Sequence, residues 1–148
     1  MKYLGLLLMF SFHILAFGQK DIRKQLQTQF IMAEAGDTIE VPAGTFRSSG
    51  SISMDEKRDI VIRGAGIDQT ILSFKGQTEG AEGIRIDNSQ NIILKDMTLQ
   101  DAKGDLVKVM NTKGIKLINA KVEWTGKPNK KNGAYTRPLW LRGVDQVG

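Results

Sequence analysis

The sequence contains no cysteine, so no disulfide can staple the fold and no lipid can be attached through an N-terminal thiol. Histidine is almost as scarce. Its one copy, His13, falls inside an apolar leader, and cleavage of that leader leaves no imidazole for general-base chemistry or metal ligation. A Ser/His/Asp triad is thereby excluded. Long apolar runs are also lacking. The stretch from Leu4 to Phe17 is interrupted by Ser11 and His13 and falls short of the roughly 20 residues of a membrane span. Met1-Lys2 in front of it and Ala16-Phe17-Gly18 behind it complete a signal peptide over residues 1–18, cut near Gly18-Gln19, against the alternative of a membrane anchor. The expectation is an exported protein: periplasmic, cell-surface or extracellular.

What remains is ordinary in bulk. A chain that is 41% apolar and 25% charged is globular rather than disordered. Loss of Lys2 with the leader takes the 21 basic residues to 20 against 16 acidic, a net charge of +4 that suits an anionic partner without demanding one. Nucleic acid is not indicated. The basic residues interleave with acids and accompany no DNA- or RNA-binding signature, and the cluster of Lys127, Lys130 and Lys131 reads as a solvated loop.

The informative feature is a repeat. An offset of 23 carries Ile84 and Ile86 onto Val107 and Val109, Asn88 onto Asn111, Ile92 and Leu94 onto Ile115 and Leu117, Met97 onto Ala120 and Leu99 onto Val122. An offset of 32 carries Ile52 and Met54 onto Ile84 and Ile86, Ile60 and Ile62 onto Ile92 and Leu94, and Val107 and Val109 onto Leu139 and Leu141. Within each repeat the apolar residues stand two apart, which is strand spacing. Three short strands in a turn of this length predict an all-β chain, a right-handed parallel β-helix in which inward side chains stack in columns. The leucine-rich-repeat alternative lacks its Leu-x-x-Leu-x-Leu-x-x-Asn pattern.

The coils follow. Residues 52–54, 60–62 and 70–74 form the first; 84–86, 92–94 and 97–99 the second; 106–109, 115–117 and 122–124 the third; 139–141 opens a fourth. Asn88 and Asn111, just after the first strand of successive coils, are expected to stack as a structural amide ladder. Open solenoid ends need covering. Residues 19–36 supply a capping α-helix, with Ile22, Leu26, Phe30 and Ala33 on one face from 21 to 35 and Gly36 ending it in a left-handed conformation. A lead-in strand over 37–41 follows, with Ile39 and Val41 inward and a turn at Pro42-Ala43-Gly44. The β-helix is thus expected over 37–148. Termination at Gly148, inside a coil begun at Leu139, points to a fragment or truncated product.

The runs Gly36-Asp37-Thr38-Ile39-Glu40-Val41-Pro42-Ala43-Gly44-Thr45-Phe46, Ile62-Arg63-Gly64-Ala65-Gly66 and Thr70-Ile71-Leu72-Ser73-Phe74 resemble exported bacterial parallel β-helix repeat proteins. These are relatives in architecture of pectate lyases and alginate lyases. The resemblance covers residues 26–135 and implies binding of extended polysaccharide along one strand sheet, between long connections. On the first-strand sheet the outward residues are Arg85, Lys108 and Trp140, whose charge and ring could hold an acidic sugar, although outward residues of any exposed sheet are long and polar. The connections 75–83, 100–105 and 125–138 enter that sheet from one side. They carry Glu79, Glu82, Asp101 and Asp105, candidate ligands for Ca²⁺, and Lys103, which with Lys108 is a candidate proton acceptor for lyase chemistry. Asp101 to Asp105 is also a common turn composition. Gly64-Ala65-Gly66 precedes no helix and reads as a turn rather than a phosphate loop. Two functions are carried forward: an acidic-polysaccharide lyase or related enzyme, and a non-catalytic β-helix module that binds glycan or serves the cell surface.

Overall fold

The computed structural model describes residues 20–127 and, for the backbone, 139–142. The predicted signal peptide therefore lies outside the described residues, as do Lys130, Lys131 and most of the third connection. The chain forms a β-solenoid of about three turns built from parallel sheets, with one short helix near its N-terminus. After α1 (Arg23–Met32) come β1 (Thr38–Glu40), β2 (Gly44–Arg47), β3 (Gly50–Asp55), β4 (Arg58–Arg63), β5 (Thr70–Ser73), β6 (Glu79–Asp87), β7 (Gln90–Gln100), β8 (Val107–Met110), β9 (Lys113–Glu123) and β10 (Leu139–Arg142). One sheet runs β10-β8-β6-β3 and is called the first-strand sheet below. The other joins β1, β4, β7, β5, β2 and β9.

The register is the predicted one. Ile52 pairs with Ile84 and Ile84 with Val107, while Met54, Ile86 and Val109 form the next column. Ile60, Ile92 and Ile115 form a third column and Ile62, Leu94 and Leu117 a fourth. Leu139 and Leu141 stand opposite Val107 and Val109. The described members of the columns are buried down to Ile115, and Leu117 and Val122 are partly buried against them. Stacking like on like keeps each apolar side chain in contact above and below, which is how a cysteine-free chain obtains a core.

The two offsets have a structural origin. Ile60 to Leu72 spans 12 residues where the paired Ile92 to Leu99 spans seven. Leu72 to Ile84 spans 12 where Leu99 to Val107 spans eight. The nine extra residues of the first coil thus sit in two corners. In the later coils one of those corners shrinks to a single left-handed residue, Asp96 (φ 56°) or Asn119 (φ 47°), and the second and third strands fuse into β7 and β9. Asn119 Nδ2 donates to Asp96 Oδ1 at 2.8 Å across the stack. Short polar side chains tolerate this backbone region better than others.

Asn88 and Asn111 do stack, both left-handed (φ 46° and 48°). The bonding along this corner is carried by the residues after them, however. Ser89 Oγ accepts from Lys57 N–H at 3.1 Å, and Thr112 Oγ1 accepts from Ser89 N–H at 3.3 Å. The Asn88 amide instead donates to Asp55 Oδ1 at 2.9 Å.

The cap is shorter than its apolar periodicity. Ile22, Leu26, Phe30 and Ala33 are buried as expected, but the helix stops at Met32 and Ala33 is already extended. Asp37 Oδ2 accepts the Glu34 N–H, closing a turn, and Gly36 (φ 96°) shapes that turn rather than the helix end. Lys57 Nζ supplies the C-terminal cap, donating to the carbonyls of Ile31 at 2.7 Å and Ala33 at 2.9 Å. Gln27 faces the outer edge of β3. Its Nε2 donates to Ser53 O at 2.8 Å and its Oε1 accepts from Ser53 N at 2.9 Å, so one side-chain amide satisfies a strand edge as a neighbouring peptide would. The residues after the lead-in turn add a strand that the periodicity did not show: β2 pairs with β5, and the Ile22 and Arg47 N–H groups bond Arg47 and Lys20 carbonyls in turn.

Candidate functional site

Alternation places one set of residues on the outer face of the first-strand sheet. Ile84 and Ile86 point inward, so Arg85 between them points out; Val107 and Val109 do the same for Lys108. The register then aligns Ser53, Arg85, Lys108 and Trp140 in one row across β3, β6, β8 and β10, at the roughly 4.8 Å strand spacing of a sheet. The Trp140 side chain lies outside the described residues.

Neither described cation of the row stands alone. Arg85 Nε donates to Asp87 Oδ2 at 2.8 Å and Nη2 lies 2.7 Å from the same oxygen, because residues i and i+2 of a strand share a face. The other carboxylate oxygen of Asp87 is buried with no bonded partner among the described residues. Lys108 Nζ donates to Glu82 Oε1 at 3.0 Å, and both side chains are about three-quarters or more buried. Burial of Glu82 works to raise its carboxyl pKa, but the Lys108 bond and charge, with nearby backbone N–H groups, outweigh it and hold the group below the usual carboxylate range. Glu82 reaches this position because β6 bulges. Gly50 pairs with Glu79 but Ile52 with Ile84, so three extra residues of β6 loop out between them. Gly80 (φ 70°) turns that bulge, and a Cβ there would sit 2.2 Å from Ser51 Oγ. Ser51 Oγ in turn donates to Glu82 O at 2.6 Å.

The first two connections lie together beside this sheet; the third lies outside the described residues beyond position 127. Gly104 N–H donates to Ala81 O at 2.7 Å, Lys103 N–H to Gln77 Oε1 at 3.0 Å, and Trp124 Nε1 to Ala102 O at 2.8 Å. Gln77, buried, also donates through Nε2 to the carbonyls of Glu79 and Glu82. The candidate metal ligands are nevertheless dispersed among separate partners. Glu79 pairs with Arg23 at 2.7 Å, Glu82 with Lys108, and Asp101 accepts from both the N–H and the hydroxyl of Thr125 at 2.7 Å. Asp105 contributes its carbonyl to Gly83 N–H. Among the described residues no three acidic, histidine or cysteine side chains form a group able to hold a metal ion.

The sequence reading thus found the backbone register of the row and the first two connections beside it, and missed Asp87 and Gln77. Asp87 was signalled by its place two residues after Arg85 and opposite Asp55; Gln77 carried no signal, being one more polar residue in a loop.

Comparison with known protein families finds no match, and no curated protein sequence matches the chain. Among solved structures the chain is similar to the crystal structure of a candidate glycosyl hydrolase from Parabacteroides merdae. The two are 14% identical with a TM-score of 0.45, over 85% of this chain and 73% of that one.

Proposed function

We propose that this chain is an exported β-solenoid that binds acidic polysaccharide along the outer face of its first-strand sheet. The observation that carries the reading is the outward row in which Arg85 and Lys108 occupy successive rungs, with Trp140 next in backbone register. A linear polymer presents groups at regular intervals, and a flat row of evenly spaced donors is complementary to it. The anchoring of Arg85 by Asp87 fixes the guanidinium in place and reduces the entropy lost on binding.

A binding role is favoured over proton abstraction by the Lys108–Glu82 pair. A base at Lys108 would have to give up a proton while its ionised partner stays largely buried, stranding an unpaired charge. Export rests on the leader of residues 1–18 and is tested by the N-terminal sequence of protein recovered outside the cytoplasm, which should start near Gln19; recovery of intact Met1 there would overturn it.

The binding test is retention on immobilised polygalacturonate. Arg85→Ala and Lys108→Ala combined with Asp87→Asn and Glu82→Gln removes both cations without leaving either partner carboxylate charged and unpaired. Retention should fall by about fivefold or more, the worth of one or two charge-assisted contacts. Unchanged retention, or equal retention of the parent protein on a neutral glucan, would sink the reading.

A further inference from the structure

The corner that turns the first-strand sheet into the second sheet carries a second polar surface, away from the row just described. Three successive coils contribute to it, at residues 55–59, 87–91 and 110–114. Glu56, Asn88 and Asn111 stack in one column, each held left-handed (φ 53°, 46° and 48°). Two positions on, Arg58, Gln90 and Lys113 stack in register in a second column. Between the columns runs a groove of about 520 Å³ whose lining side chains are all polar or charged.

The floor of this groove is rigid. The Ser89 and Thr112 hydroxyls, both buried, hold adjacent coils together, and Gln90 N–H and Lys113 N–H donate to the Lys57 and Ser89 carbonyls at 2.8 and 3.0 Å. Lys57 is committed elsewhere, its ammonium capping α1. Arg58 has no ion-pair partner among the described residues, and Arg58, Gln90, Lys113, Asn88 and Asn111 are all exposed.

We propose that this corner groove is a second binding site and that its ligand is an acidic oligosaccharide segment. Three features select that class. Carboxamides both donate and accept, as sugar hydroxyls do, and the groove presents three of them, at Gln90, at Asn111 and at Asn88, which keeps its oxygen and second amide hydrogen beside the bond to Asp55. Arg58 and Lys113 bracket Gln90 from the coils on either side, about 10 Å apart at the usual strand spacing, and outnumber Glu56, the one carboxylate of the lining, so an anionic group at the Arg58 or Lys113 rung meets a cation. Among the described residues no aromatic or aliphatic side chain lines the groove, which removes the stacking platform a nucleobase needs and the apolar pocket that anchors a peptide.

This site stands or falls separately from the sheet-face row, and the experiment separates them. Titration of the isotopically labelled protein with an oligogalacturonate pentamer, followed by NMR, should move the side-chain amide signals of Asn88, Gln90 and Asn111. Arg58→Ala with Lys113→Ala should weaken that response by about fivefold or more, the scale of two exposed charge-assisted contacts. Both residues are exposed, so an otherwise unchanged spectrum verifies the fold. The sheet-face variant, with Arg85, Lys108, Asp87 and Glu82 all replaced, should leave the corner signals moving as before. The proposal is overturned if the corner amides do not respond, if the Arg58/Lys113 variant responds like the parent, or if the fully methyl-esterified pentamer, which keeps hydroxyls and loses charge, moves them equally.

Discussion

Gln27 makes a specific claim on the stability of the solenoid, because its carboxamide stands where the coil before β3 would otherwise place a strand. Gln27→Ala removes two neutral hydrogen bonds of 2.8 and 2.9 Å and leaves the Ser53 N–H and C=O at an open edge. A net 0.5–1.5 kcal/mol per bond, taken at its lower half because water can reach this edge, and a few tenths returned by the better helix propensity of alanine, give a loss of about 1 kcal/mol. For a domain of this size that is a fall in Tm of about 3–5 °C. Gln27→Glu is the sharper perturbation. A carboxylate still accepts from Ser53 N–H but turns its other oxygen on the Ser53 carbonyl, so one bond becomes a repulsion and the loss at neutral pH should be about 2 kcal/mol.

Acid should then rescue the Gln27→Glu variant. Once protonated, the introduced carboxyl can donate to Ser53 O as the amide does, so folding raises its pKa above the unfolded value of about 4.3. Stability gained through a raised pKa is fully present below the unfolded value and is lost as pH rises through the folded one. Urea unfolding followed by far-UV circular dichroism at pH 7 and pH 3.5 reads the difference between each variant and the parent, which cancels the acid response of the other carboxylates. At pH 7 the order should be parent, alanine, glutamate. At pH 3.5 the glutamate variant should approach the parent while alanine remains behind. A gap between the two variants that does not change with pH would refute the peptide-mimic role of this side chain.

Two further perturbations probe the corners. A Cβ at Gly64 would lie 2.2 Å from the Asp96 carbonyl and 2.8 Å from Thr70 Cβ, so Gly64→Ala should cost about 1–3 kcal/mol, whereas Gly126→Ala, with nothing within 4 Å among the described residues, should stay within about 0.5 kcal/mol; equal midpoints in urea would contradict this. Asn119→Gly keeps the left-handed corner but removes the amide that, ahead of Lys95 and Arg63, holds the Asp96 carboxyl below its usual range. A depressed carboxyl stabilises the fold above its unfolded pKa of about 3.9 and loses that contribution as pH falls through the folded value, so the variant's Asp96 midpoint by NMR should rise and its acid unfolding limb should become shallower. An unmoved midpoint would assign the depression to the cations alone.

The fold was legible where its physics is columnar. An inward residue in a solenoid is constrained by the residue a full coil away, so Ile60, Ile92 and Ile115, or Met54, Ile86 and Val109, announce their pairing as a fixed offset. Residues at corners obey a backbone constraint instead. Asp96 and Asn119 look like ordinary polar residues inside a strand pattern, yet each reverses the inward phase, so that Leu94 and Met97, three apart, both face the core. That three-residue step was visible, but it does not by itself distinguish one left-handed residue from a short loop, and β7 and β9 were accordingly divided in two. β2 was hidden for another reason: it has one buried partner strand and half-exposed side chains, and its alternation is therefore weak.

The outer face obeys neither constraint, and this decides what a sequence can say about its chemistry. Alternation alone puts Arg85 and Lys108 outside, but the partners that fix them come from different kinds of proximity. Asp87 lies two residues along the same strand; Glu82 arrives through a bulge that Gly80 permits and that no hydrophobic spacing records. Acids scattered along the loops therefore looked interchangeable as metal ligands, whereas folding assigns them one by one: Glu79 to the helix through Arg23, Glu82 to the sheet through Lys108, Asp101 to the next coil through Thr125. Charges consumed in this way tie the cap, sheet and connections together. The corner groove differs because its cohesion is carried from beneath. Buried Ser89 and Thr112 bond the coils there, and the exposed columns on either side of them present their polar groups to a ligand.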